Sequence, residues 1–138
     1  DISVILLFFA LVISNDILAA DLEVTVKALR NGEGQLRMAI FDGPSEFPRG
    51  DEIRSLNIKA KTGDIKTLIK GMKPGTYAIA VHHDENFNEQ MDTNLLGLPE
   101  EGYGFSNDAK VFFGPPNFQE ASFTINAEQK KIRINIIY

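Results

Sequence analysis

The chain alternates between apolar and polar positions. From Leu22 to Leu29 the apolar residues Leu22, Val24, Val26 and Ala28 fall on one face, with Glu23, Thr25 and Lys27 on the other. A period of two, rich in β-branched residues, predicts a strand that covers a core on one side. Asn31-Gly32-Glu33-Gly34 then supplies the residues of a tight reversal. Gln35 to Asp42 alternates again, with Leu36, Met38 and Ile40 set against Gln35, Arg37 and Ala39. Together the two runs predict a β-hairpin.

The pattern recurs downstream in shorter pieces. Gly43 to Gly50 is loop by composition. Ile53 to Lys61 carries Leu56, Ile58 and Ala60 in step, with helix as the competitor over Asp51 to Lys61. A turn at Thr62-Gly63-Asp64 leads into a strand over Ile65 to Lys70. Met72-Lys73-Pro74-Gly75 matches a type II turn, in which Pro sets the first central φ and Gly takes the positive one. It opens a strand over Thr76 to Val81 or beyond, with Tyr77, Ile79 and Val81 on one face and Ala78 and Ala80 on the other. Small residues on that second face predict close approach by another layer. Ala109 to Phe113, Ala121 to Ile125 and Lys131 to Tyr138 complete the series, the last with Ile132, Ile134 and Ile136 in step. Seven or eight short strands punctuated by turns predict an all-β fold, an antiparallel β-sandwich. The Gly71 to Tyr77 turn, G-x-x-P-G-x-Y, resembles the corner of transthyretin-like and other Ig-like sandwich domains, a likeness of fold alone.

The N-terminal stretch breaks this pattern. Ile2 to Ile13 is apolar apart from Ser3, turns polar at Ser14-Asn15-Asp16 and reaches small residues at Ala19 and Ala20. Too short to span a bilayer as a helix, it predicts a secretory signal peptide over residues 1–20 that has lost its first residues, with cleavage after Ala19 or Ala20. A single domain over residues 21–138 follows, and no second hydrophobic span appears after residue 20. The chain has no cysteine. Export without disulfides is more natural for a periplasmic or extracellular bacterial protein than for a small eukaryotic secreted domain.

Charge is segregated. Val81 to Asp108 holds seven acids (Asp84, Glu85, Glu89, Asp92, Glu100, Glu101 and Asp108), and no Lys or Arg lies between Lys73 and Lys110. The rest of the expected mature domain is mildly basic. An acidic loop on a basic body argues against nucleic acid as its partner. Seven acids in one loop repel one another unless a counter-ion is present.

Asp84, Asn86, Asn88 and Asp92 form D-x-N-x-N-x-x-x-D. Calcium takes six to eight hard oxygens, and alternating Asp and Asn in a curled loop turns successive oxygens inward. The spacing predicts Asp84, Asn86, Asn88 and Asp92 as side-chain ligands, Gln90 as a backbone carbonyl ligand and Glu101 as the closing carboxylate of a Ca2+ site. Two positions depart from an EF-hand-type loop: Glu89 stands where Gly is expected, and Leu95 where a bidentate Glu is expected. The competing reading is a solvated loop whose Asp and Asn side chains bond their own backbone.

Other chemistry is weaker. His82 and His83 are neighbours on a strand and point to opposite faces, so they do not share a zinc ion. His83, beside Asp84, is positioned to orient the start of the loop. Glu100 and Glu101 are adjacent and do not converge on one substrate, and Ser106 lies outside any G-x-S-x-G elbow. Tyr103 and Phe105, between Gly102 and Gly104, read as packing anchors or as a platform for sugar faces. No catalytic residues or organic cofactor are expected.

The whole segment His83-Asp84-x-Asn86-x-Asn88-x-x-x-Asp92-x-Asn94-x-x-Gly97-x-Pro99-x-Glu101-Gly102-Tyr103-Gly104-Phe105-Ser106-Asn107 resembles the signature of a bacterial family of exported proteins, number twenty-one forty-one among the domains of unknown function. The resemblance extends to Pro74-Gly75-x-Tyr77-Ala78 before it and Gly114-Pro115-Pro116-x-Phe118 after it. It implies export and a single sandwich domain, and that Gly is common in the family where this chain has Glu89. The expected function is an exported, non-enzymatic module with a calcium loop. An envelope carbohydrate- or protein-binding domain without metal is the alternative, and a hydrolase ranks last.

Overall fold

The computed structural model describes residues 19–45 and 47–138. Most of the expected leader lies outside them; Ala20 is the first residue of the first strand. The described residues form eight strands: β1 (Ala20–Leu29), β2 (Gln35–Phe41), β3 (Arg54–Lys59), β4 (Gly63–Met72), β5 (Gly75–Asp84), β6 (Gly102–Phe105), β7 (Phe123–Ile125) and β8 (Lys130–Asn135). One helical turn, α1 (Phe118–Ala121), precedes β7. The strands make two sheets, β4-β1-β8 and β3-β2-β5-β6, with β7 pairing the first residues of β5. Facing sheets bury Leu22, Val24 and Val26 against Leu36, Met38, Ile40, Ile79 and Val81. The all-β sandwich read from the alternation is the fold.

Three local expectations are corrected. β1 and β2 do not pair as a hairpin. They belong to different sheets, and Asn31 to Gly34 carries the chain across the sandwich. A period of two reports which side of a strand is buried, and is silent on which strand lies beside it. Gly34 is required at this crossing: its φ is +66°, and a Cβ there would lie 2.0 Å from the Asp84 carbonyl oxygen. The sandwich is not wholly antiparallel either, because β8 runs parallel to β1, Leu22 beside Lys130 through Lys27 beside Asn135. Finally, Ala28 is exposed and Leu29 is buried in its place. The register of β1 against β4 slips between Val26 and Leu29, with Ala28 at φ 70°. Such a bulge changes which residues point inward.

The segment read as one long loop is shorter than expected. β5 extends to Asp84, and Gly102 to Phe105 returns as β6, hydrogen-bonded to it. The alternation in Gly102-Tyr103-Gly104-Phe105 now has a cause. The glycines face inward, where a Cβ would meet Tyr138 and Ile136 at position 102, and the Asn135 carbonyl oxygen at 2.7 Å at position 104. Tyr103 and Phe105 face outward. Ala109 to Phe113 forms no strand. On the outer face of the second sheet, Phe41, Ala78, Phe105, Phe118 and Ala121 form a second apolar cluster with Phe47 packed against it. This is the layer that Ala78 anticipated, and it covers only the Ala78 end of β5.

Candidate functional site

The loop Glu85–Glu101 is tied down by two buried carboxylates at its ends. Asp84, fully buried at the end of β5, accepts the Asn88 N–H at 3.2 Å on Oδ1, and on Oδ2 the Glu89 N–H at 2.9 Å and Gln35 Nε2 at 3.0 Å. Burial by itself raises its pKa, but these hydrogen bonds and nearby His82 outweigh burial and hold it below 3.8. Glu101 is 4% exposed. Its Oε2 accepts the Glu85 N–H at 2.6 Å, and its Oε1 accepts the Asp92 N–H at 3.1 Å and lies 3.1 Å from His82 Nε2. The carboxylate that ends the loop thus holds two points along it, Glu85 and Asp92, and joins them to His82 on β5.

Between these anchors Asn86, Asn88 and Asp92 converge. Asn86 Nδ2 donates to Asp92 Oδ2 at 2.6 Å and Asn88 Nδ2 to Asp92 Oδ1 at 2.8 Å. The side-chain oxygens of Asn86 and Asn88 accept the N–H groups of Asn88 and Gln90, respectively. Glu89 takes φ 60°. That is the left-handed conformation for which a calcium loop uses Gly at its sixth position, adopted here by a residue with a side chain. Gln90 is exposed and enters this network through its N–H. Ligating atoms of His82, Asp84 and Glu101 lie within 4.8 Å of one another, so three groups can meet one metal ion there. His82 was absent from the expected ligand set; pairing between β5 and β6 places it opposite Tyr103 and brings it beside Glu101.

The expected repulsion among the acids is relieved by partners that are distant in sequence. Arg30 pairs with Glu85, which also accepts Asn31 Nδ2 at 2.8 Å. Burial raises the Glu85 pKa, but Asn31 and Arg30 outweigh it and hold the group below 4.5. Asp108 binds Asn135 through both its oxygens, at 2.9 and 2.7 Å. His83 is fully buried between Glu33 and Tyr138: its Nε2 lies 2.7 Å from the Glu33 carbonyl oxygen and its Nδ1 lies 2.6 Å from the Tyr138 hydroxyl. A carbonyl only accepts, so the proton sits on Nε2. Both ring nitrogens are occupied. Ser106 Oγ is buried and committed to the backbone of Ile79 and Ala121.

Next to the loop, the uncovered part of the second sheet's outer face opens as a groove of about 840 Å3. Strand register sets two rows across its floor. One row reads Asn57, Arg37, His82 and Tyr103 from β3 to β6; the next reads Ser55, Ala39, Ala80 and Phe105. Ala39 and Ala80 leave the depression, and the acidic loop forms one wall through Glu89, Met91 and Leu98. Arg37 Nη1 donates to the Glu89 carbonyl oxygen at 2.6 Å. Loop and groove therefore share two contacts, Arg37 with Glu89 and His82 with Glu101. Arg37 passed unnoticed in the sequence because alternation alone marks it as one more solvated strand residue.

A family model described as an uncharacterized protein conserved in bacteria (DUF2141) matches residues 24–133. No curated protein and no solved structure matches the chain.

Proposed function

The chain belongs to this bacterial family, and from its own residues we propose that it is an exported, non-enzymatic binding module whose acidic loop closes around a calcium ion. Asp84, Asn86, Asn88 and Asp92 supply side-chain oxygens, Gln90 its carbonyl and Glu101 the closing carboxylate. The observation that carries this reading is the gathering of Asn86 and Asn88 around the Asp92 carboxylate; each amide now donates its Nδ2 there, and calcium binding requires both to turn their Oδ1 atoms from the backbone to the ion. The left-handed Glu89 supports it, since that conformation curls the loop as a hard cation requires.

Calorimetric titration with calcium, on the wild type and on Asp92→Ala, tests it. Asp92 suits the test better than Asp84, whose loss destabilises the fold whatever binds. Wild type should release heat and gain about 2.7 kcal/mol of stability at free calcium roughly one hundred times Kd. Asp92→Ala should do neither. Absence of heat and of any rise in Tm for the wild type refutes the reading.

A second reading makes the loop itself the contact surface of an envelope carbohydrate- or protein-binding domain without metal. It is favoured by Leu95 and Leu96, which are 105% and 83% exposed at the loop's tip. Binding that survives a chelator and is lost in Leu95→Ser/Leu96→Ser separates it from the first.

A further inference from the structure

We propose that the groove beside the loop binds an apolar organic acid, its carboxylate held by Arg37 and its apolar body laid over Ala39 and Ala80 toward Phe105. The inference does not rest on the calcium reading.

It begins with an unbalanced charge. Arg37 stands in the middle of the sheet's outer face, paired across to Asn57 on β3 and His82 on β5. It is half buried, and among the described residues no carboxylate lies within ion-pairing distance of it. A guanidinium carries five N–H donors in a planar fork. Here Nη1 bonds the Glu89 carbonyl oxygen and Nε is sealed from solvent and ligand alike, so the donors left to the groove are those of Nη2, which makes no hydrogen bond among the described residues. A half-buried guanidinium with no carboxylate beside it leaves a positive charge that an anion in the groove would stabilise. Arg49 also lines the groove and, like Arg37, has no ion pair among the described residues, while Glu52 and Glu89 are the acidic residues of the lining.

A carboxylate is the ligand group that answers this demand. It brings the missing negative charge and accepts charge-assisted hydrogen bonds from Nη2. A sugar hydroxyl would supply acceptors without charge, and a cation would meet repulsion. The rest of the groove sets the body of the ligand. Beyond the Arg37 row the floor turns to Ala39 and Ala80, and Phe105 stands at its end. The volume lies within the range of small-molecule sites, which are mostly apolar with a few placed polar groups. Tyr103 and Asn57, at the two ends of the Arg37 row, add neutral donors.

The test uses two pairs of probes, dodecanoate with dodecanol and 2-naphthoate with 2-naphthalenemethanol, titrated calorimetrically into wild type, Arg37→Gln and Ala80→Leu. The acid of at least one pair should bind wild type, about tenfold or more tighter than its alcohol, because a charge-assisted bond is what the alcohol lacks. Arg37→Gln should erase that preference and leave alcohol binding unchanged. Ala80→Leu, which fills the floor and keeps Arg37, should weaken acid and alcohol alike. Which pair responds distinguishes an acyl from an aryl acid. The proposal is overturned if neither acid binds, if acid and alcohol bind wild type equally, or if Arg37→Gln retains the preference while its Tm matches wild type. Calcium titration of Ala80→Leu, which leaves the Arg37–Glu89 contact in place, keeps the two readings apart: the variant should lose acid binding and keep whatever calcium response the wild type shows.

Discussion

Glu101 Oε1 lies 3.1 Å from His82 Nε2, and this pair joins the anchor of the acidic loop to the floor of the groove. The same carboxylate accepts the N–H groups of Glu85 and Asp92, so one buried side chain ties the end of the loop to its start and its middle.

Glu101→Gln should loosen the loop while sparing the sandwich. The amide turns one acceptor into a donor that faces an N–H or the His82 ring. The expected loss is about 1–3 kcal/mol of stability, read by denaturant unfolding. Amide exchange at Glu85 and Asp92 should quicken, with β1 and β2 unchanged.

Acid should destabilise the protein in a defined direction. Asp84 and Glu85 have folded-state pKa values below 3.8 and 4.5, their ordinary values. Groups depressed on folding contribute stability that is complete above the unfolded pKa and is lost as pH falls through the folded one. Tm should therefore be level above about pH 5 and fall as pH drops below about 4. Asp84→Asn should flatten that acid limb. An acid limb unchanged in this variant would refute the assignment of Asp84.

Gly34→Ala should be among the most damaging substitutions of a surface turn, because the added Cβ meets the Asp84 carbonyl oxygen at 2.0 Å and φ is +66°. A cost above about 3 kcal/mol is expected in urea unfolding, from strain and overpacking together. Gly43→Ala, with nothing within 4 Å of its Cβ and no positive φ, is the control and should change stability by less than about 0.5 kcal/mol.

Tyr138→Phe should cost about 1–2 kcal/mol by thermal unfolding. The hydroxyl is the partner of His83 Nδ1 at 2.6 Å and accepts the Arg30 N–H at 3.0 Å. Its loss leaves a fully buried ring nitrogen without a donor, whereas the ring itself still packs under Arg30, whose guanidinium carbon lies 4.4 Å from the ring centre.

Several features were legible because they are local. The inward residues of β2 and β5 follow from alternation, and Pro74 does fall in the break between β4 and β5. The type II turn expected at Met72-Lys73-Pro74-Gly75 is corrected: Gly75 opens β5 without a positive φ, and the positive φ falls on Gly71 instead. That Asn86, Asn88 and Asp92 lie close together was legible too, because side chains four and six apart in a curled loop come within reach without help from elsewhere, although the atoms that meet on Asp92 are amide nitrogens and not the oxygens expected. The β1–β2 hairpin failed for a different reason. Reversal and sheet crossing use the same turn residues, and which one occurs depends on where β5 and β4 offer their edges.

Sequence by itself determined an all-β domain, the face most of its strands bury and the acidic loop between Asp84 and Gly102. Those properties are written in the period of apolar residues and in residues that restrict φ. Only the tertiary structure decided that Arg30 would neutralise Glu85, that His82 would meet Glu101, and that Asn57, Arg37, His82 and Tyr103 would form one row. Each of these depends on which strands lie side by side and in what register, and that is set by the packing of the whole core.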